Sequence, residues 1–233
     1  MSANAAAAAE HSEVLTSSKP TQASPDIIRV HREDILRAAI AEFGKAGYAA
    51  ASTNEIVKNA KVSKGLLFHH FTNKEKLYTA CQLHVMMQYG QFMTKRVHFT
   101  SPDLFDRILE SLRIKMEFGC KNPEFLALTN RVWYMEDDNS ILKQPEAEAS
   151  IMKIMQEYMA AFFNGVDTTK FREGLELAKV MDYTRLAMEA SWARFSHRHG
   201  NDTEAIIKDI DSYFTEAKEI LSLLKYGVYE HAN

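Results

Sequence analysis

The chain has 233 residues, 46% of them hydrophobic and 25% charged, with a formal net charge of −3. That length supports one or two domains with a sizeable core, and the composition excludes a mainly disordered chain. Five Pro and nine Gly argue against a turn-rich β sandwich, and two cysteines, Cys81 and Cys120, exclude a disulfide framework or a Cys-rich zinc site.

Residues 1–24 are mostly Ala, Ser, Thr and small polar groups, and are expected to form a disordered tail. They offer neither a basic start nor an apolar core of secretory type, so the expected location is cytoplasmic. The uncharged stretch from Leu77 to Thr94 contains Gln82, His84, Gln88 and Gln91, which predicts no membrane span.

Prolines mark helix starts. Ser24-Pro25-Asp26, Ser101-Pro102-Asp103 and Asn122-Pro123-Glu124 each read as a cap, a Pro at the first helical position and an acid in the first turn. Gln144-Pro145-Glu146 is a weaker version. Ile35, Leu36, Ala39, Ile40 and Phe43 form one apolar stripe of helical period, and no run alternates as a strand would. The reading is all-α, with about nine helices over 26–46, 53–60, 64–70, 74–98, 103–120, 123–137, 146–164, 171–197 and 203–227. A small helical domain over 25–78 is followed by a helical bundle over 79–233.

The densest signal lies in the first domain. Gly47 suits a left-handed helix end. Ser52-Thr53-Asn54-Glu55 reads as a capping box, with Ser52 as the cap and Glu55 three positions on. A brief turn at Lys61-Val62 and a second cap at Ser63 then lead into Lys64-Gly65-Leu66-Leu67-Phe68-His69-His70. Two short helices joined this way make a helix-turn-helix, whose second helix fits the major groove of B-DNA.

The string from Ile56 to Phe71, followed by Asn73-Lys74-Glu75-Lys76-Leu77, resembles the DNA-binding domain of the TetR family of transcriptional regulators. The resemblance covers about residues 32–78, and beyond it only length and helical layout agree. It implies DNA contacts from Ser52, Thr53, Lys64, Gly65, Leu66, Phe68, His69, His70 and Lys74. Lys64 can reach a guanine edge or a phosphate, Gly65 admits close backbone approach, and Lys74 matches the family's phosphate-clamping lysine at a helix N-terminus. Leu67 and Phe71 are expected to face the core.

Three positions depart from the family pattern. Lys61 stands where Gly is usual, so a left-handed turn there costs about 1–2 kcal/mol. Phe68 replaces a usual tyrosine and loses a phosphate-reaching hydroxyl. Leu66 replaces a small polar residue and suits a thymine methyl or plain packing.

In the bundle, Met116, Phe118, Trp133, Tyr134, Met152, Met155, Met159, Met181, Met188 and Trp192 form a set suited to line a pocket for an apolar ligand. Any single member of the set reads more readily as plain core. The last two helices, through Tyr183, Ala187, Ala190, Ile207, Ile210, Phe214 and Leu221, are expected to pair with a second copy as a twofold four-helix interface. His197 and His199 suit the negative end of a helix better than a metal site, and Glu136-Asp137-Asp138 reads as a solvated loop. No metal, cofactor or enzyme motif is expected.

The resulting expectation is a homodimeric repressor that binds a palindromic double-stranded operator and is released by a small-molecule inducer. The alternative is an all-helical binding protein or enzyme with a vestigial helix-turn-helix. Charge supports the first: residues 29–76 hold nine Lys/Arg against five Asp/Glu, a net of +4, on a chain that is acidic overall.

Overall fold

The computed structural model describes residues 25–134, 145–200 and 202–229, with the backbone alone for 25–29, 132–134, 145–148 and 150. Among the described residues ten helices run in order: α1 (Pro25–Ala50), α2 (Thr53–Ala60), α3 (Lys64–Phe71), α4 (Lys74–Arg96), α5 (Leu104–Lys121), α6 (Pro123–Tyr134), α7 (Pro145–Phe163), α8 (Leu177–Arg198), α9 (Thr203–Lys208) and α10 (Ile210–Val228). No strand forms among the described residues, and no helix there is long and apolar enough to cross a membrane.

The helix-start signals act largely as the sequence dictates. Pro25, Pro123 and Pro145 each open a helix, where the missing N–H costs nothing. The exception is Ser101-Pro102-Asp103. Asp103, not Ser101, caps α5, because its carboxylate accepts from both the Phe105 and Asp106 amides, at 2.9 and 3.1 Å. Ser101 Oγ instead accepts from the Asp103 amide. Near the end of α1, Gly47 takes φ 76° and bends the chain, and the helical assignment runs on to Ala50 past that bend.

Two expected helices are corrected. Residues 171–176 are not helical: Phe171 pairs with Tyr229 in an isolated bridge, and Arg172 N–H donates to Val228 carbonyl at 2.8 Å. Gly174 there has φ 80°, which a helix cannot accommodate. The expected helix 203–227 divides at Asp209 into α9 and α10. There the His199 ring meets the Asp209 carboxylate at 3.1 Å. The expected tail, residues 1–24, lies outside the described residues, as does Glu136-Asp137-Asp138.

The apolar stripe of α1 is wholly inside. Ile35, Leu36, Ala39, Ile40 and Phe43 pack with Ile56, Leu67 and Phe71 from α2 and α3, and with Leu77, Tyr78, Cys81 and Val85 from α4. Phe118, Phe125 and Leu128 of α5 and α6 close the same core, so α4 runs unbroken from the first unit into the bundle. Burial pushes the Cys81 thiol far up, which suits an inert core side chain.

Glycine permits the tightest contacts. A Cβ on Gly44 would stand 3.0 Å from the Ala127 Cβ, so α1 and α6 approach at that point. At the far end of the bundle, buried Arg107 holds the end of α7. Its Nη1 donates to the Phe162 and Asn164 carbonyls at 2.6 and 2.8 Å, and its Nε donates to the Ser101 carbonyl. The Phe162 and Asn164 carbonyls, at the C-terminal end of α7, stand in for a carboxylate partner to the buried charge.

Candidate nucleic-acid interface and bundle cavity

The α2–turn–α3 unit is built by its caps. Ser52 Oγ accepts from the Glu55 amide at 3.4 Å, and Ser63 Oγ accepts from the Leu66 amide at 3.1 Å. The reciprocal half of the expected capping box comes from elsewhere. The Ser52 amide donates to Glu42 Oε1 of α1 at 2.9 Å, while Glu55 turns to Lys58. A partner on another helix anchors α2 to α1, and no spacing rule within α2 could have revealed it. Lys61 takes φ 56°, ψ 40°, the left-handed turn that the family pattern gives to Gly.

Leu67 and Phe71 are buried, which fixes the outward face of α3. Gly65 and His69 are exposed on it, Lys64 is exposed at the helix start, and Leu66 is half-buried beside them. Lys64 Nζ donates to Asn54 Oδ1 at 3.2 Å, which joins the start of α3 to α2. Phe68 is half-buried against the core cluster, so its ring serves packing first. His70 is also half-buried, and its Nε2 is buried with no partner among the described residues. Burial, then the charges of His69, Arg32 and His31, lowers its pKa, which disfavours a cationic contact to phosphate.

At the neighbouring N-terminus, Asn73 Oδ1 caps α4 by accepting from the Lys76 amide at 2.8 Å. Lys74 donates to the Ala49 carbonyl at 3.1 Å and lies 5.1 Å from the centre of the Tyr48 ring. Ser52 and Thr53 are half-exposed at the start of α2. Two helix N-termini with their amides therefore flank the exposed face of α3, an arrangement that attracts phosphate. Lys58, Lys61 and Lys76 are exposed nearby.

A second feature lies between α5, α7, α8 and α10, where a partly open cavity of about 340 Å³ has mainly apolar walls. Met116, Met159, Met181, Met188 and Trp192 line it, as the sequence suggested. Three expected members do not. Phe118 packs into the α1–α4 core against Tyr89 and Phe92, on the flank of α5 that meets α4. Met152 and Met155 are exposed, at 61% and 41%, on the outer side of α7. The side chains of Trp133 and Tyr134 lie outside the described residues.

The sequence reading also missed Lys115, Arg185 and Glu189, which share the cavity lining. Lys115 follows Ile108 and Leu112 at helical spacing on the apolar stripe of α5, a signal available in the sequence. From this wall, Trp192 Nε1 donates to Asn130 Oδ1 of α6 at 3.2 Å. The next residue, Arg131, donates to the Gly44 and Lys45 carbonyls of α1 at 2.7 and 2.8 Å. No group of three or more His, Cys, Asp or Glu side chains converges on a common point among the described residues.

On the expected pairing face, Leu221 is buried in the chain's own core with Leu104 and Phe105. Phe214 already carries the Arg113 guanidinium over its ring at 5.2 Å. Ala187, Ile207 and Ile210 are half-buried, whereas Tyr183 and Ala190 are exposed.

The profile described as "Bacterial regulatory proteins, tetR family" matches residues 35–81. The mycobacterial repressor Rv3405c of Mycobacterium tuberculosis is 36% identical over 77 residues, 33% of this chain and 39% of its own length. The Transposon Tn10 TetC protein of Escherichia coli is 32% identical over 69 residues, 30% of this chain and 35% of its own length. The chain thus spans well under half the length of these curated relatives. The fold likeness extends further: a TetR family transcriptional regulator from Chloroflexus aurantiacus J-10-FL superposes with a TM-score of 0.61 at 15% identity, covering 89% of this chain and 95% of that one. Residues 35–81 thus match the DNA-binding domain model of the tetR family of bacterial regulatory proteins, and the likeness of the remaining chain is one of fold.

Proposed function

We propose that the protein is a DNA-binding transcriptional repressor whose operator affinity is set by a small molecule in the bundle cavity. The observation that carries this reading is the exposed face of α3, with Gly65 and His69 outward and Lys64 exposed at its start, beside the capped N-termini of α2 and α4. Lys74 and the starts of α2 and α4 would position the phosphates, and α3 would read bases. The reading needs no chemical step, and it places the protein on DNA in the cytoplasm.

Two copies would present two such helices to a near-palindromic operator. The pairing face we favour is on α8 and α10, which pack on each other. Tyr183 and Leu186 on α8, with Leu223 and Tyr226 on α10, are 50–74% exposed, an unusual cost for large apolar groups in a monomer. This keeps Tyr183 and Ala190 from the sequence expectation and replaces buried Leu221. An inducer acts by favouring the dimer state with the wrong half-site spacing.

Gel shifts on the gene's own promoter region test the reading. The folded protein should give a sequence-specific shift at moderate salt. Lys74→Ala should weaken binding to all sequences and reduce the salt slope by about one. Lys64→Ala and His69→Ala should change operator preference instead. Unchanged affinity in all three variants would remove this docking.

A further inference from the structure

We propose that the bundle cavity takes an amphiphile with an apolar body and a single anionic head group, and that Lys115 receives the head group. The proposal rests on reading the cavity as the effector site, and it adds the chemical class of the effector.

The walls set the apolar part. Ile108, Leu112, Met116, Met159, Phe162 and Met188 offer carbon and sulfur surfaces that adapt to varied shapes. A cavity of about 340 Å³ is within the range for small-molecule sites.

The polar groups set the head, and all but one already have partners. Tyr158 donates to Ser111 Oγ at 2.8 Å, and Ser111 donates to the Arg107 carbonyl at 2.8 Å. Arg185 donates to Glu189 and to Asp182, at 2.8 and 2.7 Å, so two carboxylates balance one guanidinium. Lys115 has no ion pair or hydrogen bond among the described residues. Glu189 is near enough to favour its charge but is engaged by Arg185.

Lys115 keeps an exposed surface at the lining of the partly open cavity, with protein packed around its ammonium. Burial pushes the ammonium pKa down, and Glu189 only partly opposes this. An ammonium with no protein partner on a mainly apolar wall favours an anionic occupant over a neutral one. A carboxylate or phosphate does so with a charge-assisted hydrogen bond, a hydroxyl does so weakly, and a second cation is repelled.

Calorimetric titration of the full-length protein at neutral pH with decanoate, 1-decanol and decyltrimethylammonium tests this. Decanoate should bind at least about tenfold more tightly than decanol, and decyltrimethylammonium should not bind measurably. Lys115→Met should erase the preference for decanoate over decanol, and Lys115→Arg should keep it. Equal affinity for decanoate and decanol in the unaltered protein, a comparison that needs no variant to fold, would overturn the anion assignment and leave the cavity reading standing. A preference that survives Lys115→Met would also overturn it. Failure of all three probes to bind would overturn both.

Discussion

In the N-terminal unit, the side chains with no accessible surface are apolar: Ile35, Ile40, Phe43, Ile56, Leu67 and Leu77. Lys58, Lys61, Lys64 and Lys76 stand outside it. The bundle is arranged otherwise. Arg107, Asn130, Thr184, Ser191 and Ser196 are buried, and a cavity with three charged side chains in its lining lies between the helices. The first unit is a dense support that holds a charged face steady. The second keeps polar groups and empty volume inside, so fewer close contacts join its helices at the cavity.

Truncations of similar kind should separate the two. Phe43→Ala in the dense unit should cost about 3–5 kcal/mol in urea denaturation, whereas Met188→Ala at the cavity wall should cost about 1 kcal/mol. Equal losses would break the contrast.

Next in size is Arg107→Met, which leaves three carbonyls without their donor. It should cost about 3 kcal/mol by the same measurement, with circular dichroism confirming that the helices form. A neutral outcome would mean that water replaces the guanidinium there.

A smaller effect depends on pH. Burial alone would raise the Asp103 carboxyl, but hydrogen bonds from Lys225 and the Asp106 amide, with the Lys225 charge, outweigh it and hold the pKa below its usual value. The Lys225 ammonium lies 2.9 Å away. A lowered folded pKa gives stability that is fully present above the ordinary carboxylate value of about 4 and is lost as pH falls through the folded value. Asp103→Asn should therefore cost about 1 kcal/mol at neutral pH and flatten the acid limb of a Tm-against-pH curve.

The smallest change is a gain. Lys61→Gly should relieve the left-handed turn and raise Tm by about 2–4 °C. The substitution also removes an exposed cation, so filter binding to random duplex DNA would show whether Lys61 has an electrostatic role that justifies its strain.

Much of the first unit was legible because its signals are local. Caps at Ser52 and Ser63, the bend at Gly47 and the α1 stripe act within a turn or two of their own positions. Glu42 was not legible as the partner of Ser52, since it acts across ten residues through tertiary packing. In the bundle, a methionine on a helical stripe faces either core or cavity. Only the placement of α5 against α7, α8 and α10 separates Met116 from Phe118. Leu221 was misplaced for the same reason. Its stripe is wide enough for two neighbours, and the inner one took it. Breaks at 171–176 and Asp209 escaped notice because neither contains proline.

The Trp192–Asn130 hydrogen bond has an energetic consequence. Asn130 is only 5% exposed and its Nδ2 already lacks a partner among the described residues. An occupant that turns the indole would strand the Asn130 oxygen as well, at about 1–3 kcal/mol, one residue before the arginine that grips the end of α1. A typical coupling free energy between two sites has the same size. One bond of this kind would match such a coupling in size, and in the proposed regulator linkage would make the exchange mutual: whatever an occupant took from operator affinity, the operator would take from the occupant.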